Sequence, residues 1–189
     1  MRLPRVLLCA VLVLLAGCGR TATPSAAPGP SAPPSQAAPQ PSAVVSLSNS
    51  PSVSAAMVCA DEAQHDIQAA LGVAPPKPPA STWADHLFTC TYTYPFGVMV
   101  LSVKELPDEA STQAYLADMR KQHPGGGELP GLGQGAYEAP NGSMLVRKDF
   151  KVLWVDVTGL PDKFGPLAVS RADAGFRVAT VIIGCWTGA

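Results

Sequence analysis

The sequence predicts an α+β domain over residues 57–189, with an antiparallel sheet of about five strands and three packed helices. Two patterns carry this prediction. Apolar residues recur every three or four positions in residues 61–71, which is the period of a helix. They recur at every second position in residues 86–94, which is the period of a half-buried strand. The predicted helices and strands follow one another along the chain in the order α-β-β-α-β-β-β-α.

The first helix is predicted over residues 61–71. Acidic residues fill its first turn and Gly72 ends it, as helix termini favour. The apolar positions that share one face are Ala63, Ile67, Ala70 and Leu71. The prolines of residues 75–79 then break the chain into an extended loop.

The first two strands are predicted as a hairpin of residues 86–94 and 98–103, joined by a turn at residues 95–97. The threonines of the first strand face one way. The alternate positions face the other way, and they are Phe88, Cys90, Tyr92 and Tyr94. That second face is expected to lie against the core.

The second helix is predicted over residues 108–122. Asp108 is a suitable N-cap, and the Pro-Gly-Gly-Gly stretch of residues 124–127 stops the helix. Its apolar stripe consists of Tyr115, Leu116 and Met119.

Three short strands follow, over residues 135–139, 143–148 and 151–157. Asn141-Gly142 suits the first tight turn between them, and Asp149-Phe150 makes the second. The sequence therefore predicts a three-stranded meander.

The last helix is predicted from Ser170 to about Gly184, with Asp173 completing a variant of the capping box. One predicted face consists of Ala172, Phe176, Ala179, Ile183 and Trp186. Val178 and Ile182 make a second side apolar too, so the helix is expected to pack deep against the sheet.

Residues 1–17 have the three parts of an export signal: a basic head, an apolar core and small residues at the end. The core is shorter than the roughly 20 residues that a transmembrane helix needs. Leu15-Ala16-Gly17-Cys18 resembles the lipobox of bacterial lipoproteins. The resemblance implies cleavage before Cys18 and a diacylglyceryl anchor, with acyl chains such as palmitate, that holds the protein on the outer face of the cytoplasmic membrane. An ordinary secretory signal stays open as the alternative.

Residues 18–56 are predicted to be a disordered tether that follows the lipidated Cys18. No charged residue occurs in residues 21–60, and proline, alanine and serine dominate the composition. Such a segment has too few apolar groups to offset the entropy of ordering. It is expected to space the domain from the membrane, and glycosylation of its serines and threonines stays open.

Three cysteines remain in the domain, at positions 59, 90 and 185. Outside the membrane thiols tend to pair, and we favour a disulfide between Cys59 and Cys90. Closing that loop would stabilise the fold by roughly 3.5 kcal/mol. A bridge from either residue to Cys185 stays open, as does a free Cys185.

No motif predicts a catalytic residue, a cofactor site or a metal site. Gly131-Leu132-Gly133-Gln134-Gly135 lacks the flanking strand and helix of a phosphate loop and reads as a turn. The residues Asp61, Glu62 and His65, which lie within one helical turn, read as a solvated helix face. The chain holds 13 basic and 14 acidic residues without a basic patch, so nucleic acid is not an expected partner.

These observations predict a non-catalytic binding or interaction domain. Its expected partners are the membrane, through the anchor, and an envelope protein, lipid or glycan. Two alternatives stay open. One is a cell-envelope hydrolase with a dispersed site that uses His65 or His86 beside a carboxylate. The other is a lipid-carrying domain, which would need a deep apolar cavity.

Several short stretches resemble small surface lipoproteins of actinobacteria. They are Cys59 before a helix, Trp83 followed by residues 88–92, residues 132–136, residues 146–149 and Gly184-Cys185-Trp186. The resemblance covers most of residues 57–189. It implies the cell-surface location and a Mog1/PsbP-like sandwich fold, and it carries no activity with it.

Overall fold

The computed structural model describes residues 43–186. The predicted signal peptide and Cys18 lie outside these residues. The first elements are helix α1 (Val53–Ala56), a 3-10 turn (Met57–Cys59), helix α2 (Asp61–Leu71), strands β1 (Ala80–Ala84), β2 (Leu87–Tyr94) and β3 (Gly97–Glu105), and helix α3 (Glu109–Gln122). The remaining elements are β4 (Gly127–Leu129), β5 (Gly135–Glu138), β6 (Met144–Lys148), β7 (Lys151–Asp156), β8 (Lys163–Phe164), β9 (Val169–Ser170) and helix α4 (Arg171–Cys185).

Seven strands form one antiparallel sheet in the order β1-β2-β3-β7-β6-β5-β4. The predicted α+β class and antiparallel pairing are confirmed, but the prediction of about five strands is too low. Strands β1 and β4 add one strand at each edge, and β8 and β9 form a separate two-stranded ladder. The predicted order of the longer elements is otherwise the order in the structure.

The inner face of the sheet, which we define as the side that carries Cys90, Leu101 and Leu153, is covered by α2 and α4. The alternation predicted for β2 is confirmed, since its four inward positions are all buried: Phe88, Cys90, Tyr92 and Tyr94. Helix α2 contributes Ala63, Ile67 and Leu71 to the same core. Burying a large apolar side chain stabilises the fold by about 1.5–3 kcal/mol.

The outer face, which carries Leu145, Val152 and Trp154, is covered by α3. The predicted stripe of that helix is confirmed, with Leu116 buried and Tyr115 and Met119 partly buried against the sheet. Asp108 caps the helix as predicted, because its carboxylate accepts the Ser111 backbone N–H at 2.7 Å. The described helices thus lie on both sides of the sheet.

Helix α4 begins as predicted, since Ser170 Oγ accepts the Asp173 backbone N–H at 3.1 Å. The face predicted to pack needs correction, because Phe176 is 46% exposed. The buried positions are Ala174, Gly175, Val178, Ala179 and Ile182. A Cβ built at Gly175 would lie 2.4 Å from the Gly142 carbonyl oxygen. The side of α4 that carries Gly175 therefore packs against the turn between β5 and β6, and Phe176 faces outward.

Residues 43–56, which were assigned to the tether, pack on the domain instead. Helix α1 lies within them, its N-cap is Ser52, and Ser54 and Ala55 are buried. Three hydrogen bonds hold the segment: Val45 N–H to the Pro107 carbonyl (2.8 Å), Ser52 N–H to the Glu105 carboxylate (2.9 Å) and the Trp83 indole N–H to the Asn49 carbonyl (2.8 Å). These contacts correct the predicted end of the tether at residue 56.

Candidate functional site

A disulfide joins the start of the helical layer to the sheet. Cys59 and Cys90 are bonded, with their Cα atoms 5.6 Å apart and a sequence separation of 31. Beside the bond, the buried Tyr92 hydroxyl donates to the Val58 carbonyl at 2.7 Å. Burial raises the pKa of Tyr92, so this hydroxyl keeps its proton. The two links fix the 3-10 turn on strand β2.

A groove of about 660 Å³ lies at the end of the sheet where strand β3 stops. The segment of residues 45–53 forms one wall, and the β6–β7 turn forms the other. The lining comprises the apolar residues Val45, Leu47, Pro51, Val53, Leu106 and Phe150, serines at positions 46, 48, 50 and 52, and the charged residues Glu105, Asp149 and Lys151. We call this feature the segment groove.

Glu105 is the buried charge of the segment groove. Its side chain extends the inward register of Leu101 and Val103, and the residue is only 6% exposed. One carboxylate oxygen accepts the Ser52 N–H at 2.9 Å. Lys151 is its cross-strand neighbour in the register, and the two side chains form no ion pair within 4 Å. A desolvated carboxylate favours hydrogen-bond donors, so Glu105 is suited to hold a donor group of a bound molecule.

The structure does not bring His65 and His86, the candidates for a hydrolase site, together with each other or with His123. His65 is exposed, and its ring nitrogen lies 3.4 Å from the neighbouring carboxylate of Asp66. The His86 ring packs edge-on against Trp83, with ring centroids 5.8 Å apart. The His123 ring stacks on Trp154 at 4.5 Å on the outer face. These three imidazoles therefore have separate environments.

The glycine-rich stretch that ends at Gly135 leads into strand β5, as the turn interpretation predicts. Gly133 has a φ of +60°, which favours glycine, and the following residue bonds to the next strand: Gln134 N–H donates to the Arg147 carbonyl at 2.7 Å. In the part of the chain that the structure describes, no group of three or more His, Cys, Asp or Glu residues is placed to hold a metal ion.

Cys185 is a free thiol near the end of α4 and is partly buried. Burial, together with the nearby carboxylates of Asp66 and Glu62, raises the pKa of its thiol. A thiol with a raised pKa forms little of the nucleophilic thiolate at neutral pH. This environment is typical of a structural cysteine.

Sequence reasoning missed the segment groove and Glu105. A signal for Glu105 was present, because extending the alternation of β3 by two residues beyond Val103 places it on the inner face. The groove wall had only a weak signal, since residues 45–53 hold a single proline together with Val45, Leu47 and Val53 but share the serines and the lack of charge of the preceding stretch. Only tertiary hydrogen bonds place that wall.

No family model, no curated protein and no solved structure matches this chain. Among residues 43–186, no helix is both long and apolar enough to pass through a membrane.

Proposed function

We propose that the protein is a lipoprotein, anchored through Cys18 on the outer face of the cytoplasmic membrane, that presents a non-catalytic binding domain. The lipobox-like Leu15-Ala16-Gly17-Cys18 supports the anchor. The disulfide between Cys59 and Cys90 supports an oxidising location, because structural disulfides persist outside the reducing cytosol. The proposal includes the resemblance to small actinobacterial surface lipoproteins and the Mog1/PsbP-like sandwich fold that this resemblance implies.

The segment groove is the binding site of this proposal, and the buried carboxylate of Glu105 is the observation that carries it. An open apolar groove with one buried polar group suits a partner that inserts apolar groups and one hydrogen-bond donor. In the processed protein, the residues between Cys18 and the groove would tether the domain to the membrane. The partner is therefore expected in the envelope, as a protein, lipid or glycan.

Photo-crosslinking in cells that produce the full chain tests this proposal. A benzophenone analogue of phenylalanine replaces Phe150, which lines the segment groove. The matched control replaces Phe96, which is 65% exposed in the turn between β2 and β3. We expect a discrete crosslinked product from position 150 and none from position 96. Equal products from both positions, or none from position 150, would contradict the groove as binding site.

A substitution sharpens the same experiment. Glu105→Gln keeps the size of the side chain and its acceptor for the Ser52 N–H but removes the charge. We expect this variant to keep its fold, judged by its melting temperature, and to lose most of the crosslink from position 150. An unchanged crosslink would show that Glu105 does not hold the partner.

A further inference from the structure

The segment of residues 43–53 is attached to the domain differently from the residues that follow it. None of its residues is buried, and none carries a charged side chain. The next residues enter the inner core, where Ser54 is 7% exposed and Ala55 and Val58 are fully buried. The chain therefore passes from the surface into the core directly after Val53. We call residues 43–53 the strap.

Three hydrogen bonds at separated places hold the strap, and they are Val45 N–H to the Pro107 carbonyl, the Trp83 indole N–H to the Asn49 carbonyl, and Ser52 N–H to the Glu105 carboxylate. Hydrogen bonds to groups that water can also reach contribute little net stability. Between these contacts, the Ser50 N–H donates to Ser48 Oγ at 3.2 Å, and Pro51 restricts the backbone. Because the segment is stiff, losing one contact strains the others, and the three contacts are expected to break together.

The residues after the strap have a covalent link and a buried hydrogen bond instead. The disulfide from Cys59 to Cys90 joins them to strand β2, and the Tyr92 hydroxyl donates to the Val58 carbonyl at 2.7 Å. An opening that starts in the strap therefore stops at Val53 and does not require the domain to unfold. Local openings of this kind have lower free energies than global unfolding.

We propose that the strap docks and undocks as one unit on the folded domain, and that the segment groove exists only while the strap is docked. The wall of the groove formed by residues 45–53 belongs entirely to the strap. Undocking removes this wall and takes the Ser52 N–H away from the Glu105 carboxylate. The consequence for binding rests on the proposed function. A partner that occupies the groove binds the docked state only, so partner binding and strap docking stabilise each other.

Hydrogen exchange followed by NMR on the full chain, purified in detergent, tests the docking equilibrium without a partner. After correction for their rates in an unfolded chain, we expect the Val45 and Ser52 amides to exchange at least about 100-fold faster than the amides of β3. Trp83→Phe removes the indole donor to Asn49, and Trp83 does not line the groove. This variant is expected to speed exchange at positions 45 and 52 by the same factor, roughly three- to tenfold. The matched control Tyr92→Phe removes a hydrogen bond beyond Val53 and is expected to leave both rates unchanged.

A glycine variant tests the dependence of the groove on the strap. It replaces Val45, Leu47, Asn49 and Pro51 by glycine and keeps all serines of the strap, so the Ser52 cap of α1 is retained. Glycine adds entropy to the undocked chain, and the apolar side chains are lost, so the strap is expected to stay undocked. We expect the melting temperature to fall by no more than about 5 °C and the crosslink from position 150 to be lost.

The outcomes separate the strap from the proposed partner. Val45 and Ser52 amides that exchange as slowly as those of β3, unequal factors in Trp83→Phe, or a larger fall in the melting temperature of the glycine variant would each overturn the strap as a separate unit. A glycine variant that keeps the crosslink would overturn the dependence of the groove on the strap. If the original protein gives no crosslink either, the proposed function fails, and the exchange rates and melting temperatures still decide whether the strap undocks by itself.

Discussion

The inner and outer faces of the sheet are covered unequally. Two helices and a disulfide cover the inner face, and its core continues along the sheet from Phe88 to Met144. One helix covers the outer face, and its core is confined to the half around Leu145 and Val152. In the described residues, the outer positions of β2 and β3 are half-buried or exposed, and they are Leu87, Thr89, Thr91, Thr93, Val98, Val100, Ser102 and Lys104.

This difference indicates which positions of the sheet tolerate substitution. Closely packed apolar groups hold the inner face, so changes there are expected to unfold the whole domain. The outer face near β1 has hydroxyl groups and valines with little cover, and a change there disturbs few packed neighbours. Substitutions that leave the fold intact are therefore expected at the outer face near β1 rather than in the packed core of the inner face.

Removing the disulfide gives the largest expected effect on the inner face. Cys59→Ala or Cys90→Ala opens a loop whose ends are 31 residues apart. The chain-entropy relation predicts a loss of roughly 3.5 kcal/mol in the free energy of unfolding. Chemical denaturation measures it, with Cys185→Ala as the matched control. A loss no larger than that of the control would mean that the link to α2 does not stabilise the inner layer.

One alanine substitution on each face compares the two cores directly. Ile182 on α4 is fully buried in the inner core, and Leu116 on α3 is 3% exposed in the outer cluster. We expect Ile182→Ala to lower the free energy of unfolding by about 3 kcal/mol and Leu116→Ala by about 2 kcal/mol, because the smaller cluster relaxes more easily. Equal losses, measured in urea, would contradict the unequal cover.

The cap of α3 gives a smaller effect that depends on pH. Hydrogen bonds from the Ser111 N–H and from other groups at the helix start hold the pKa of Asp108 below its ordinary value of 3.8. A folded-state pKa below the unfolded one means that the charged cap stabilises the fold above the ordinary pKa. This contribution is lost as the pH falls through the lowered pKa.

Asp108→Asn keeps a capping side chain without a titratable group. Melting temperatures measured from about pH 5 down to about pH 2 should fall less steeply in this variant than in the original protein. Parallel curves for Asp108→Asn and the original would show that the cap carries no pH dependence.

The smallest effect is expected at Phe176, which the sequence pattern assigns to the packed face of α4. Its side chain is 46% exposed in the structure. Phe176→Ala is therefore expected to change the free energy of unfolding by about 0.5 kcal/mol or less. A loss of several kcal/mol, as for a buried phenylalanine, would restore the face predicted from the sequence.

Phe176 also shows which features of the fold can and cannot be predicted from the sequence alone. Strand β2 alternates strictly, so its buried side could be read without a structure, and Asp108, Ser170 and Gly72 marked helix ends by known chemistry. Helix α4 is apolar on two sides, so periodicity could not choose between them. The close contact of Gly175 with Gly142 made the choice, and that contact depends on the tertiary fold.

Strand β1 and the segment groove could not be predicted from the sequence, for a related reason. Strand β1 has no alternation to read, and its turn at Asp85 and His86 lacks the glycine or asparagine that usually marks such loops. The groove wall shares the serines and the lack of charge of the proline-rich stretch before it, and it is fixed by hydrogen bonds that the Ser52 and Val45 N–H groups donate to Glu105 and Pro107. The local sequence pattern therefore predicts neither the edge strand nor the tertiary hydrogen bonds of the groove wall.

The proposal that a lipidated cysteine holds this domain outside the cell is tested directly by mass spectrometry of the protein extracted from membranes. We expect an N-terminal peptide that begins at Cys18 and carries diacylglycerol. We also expect Cys18→Ala to move the protein into the aqueous fraction. An intact Met1 terminus, cleavage at another residue without lipid, or an original protein found in the aqueous fraction would contradict it.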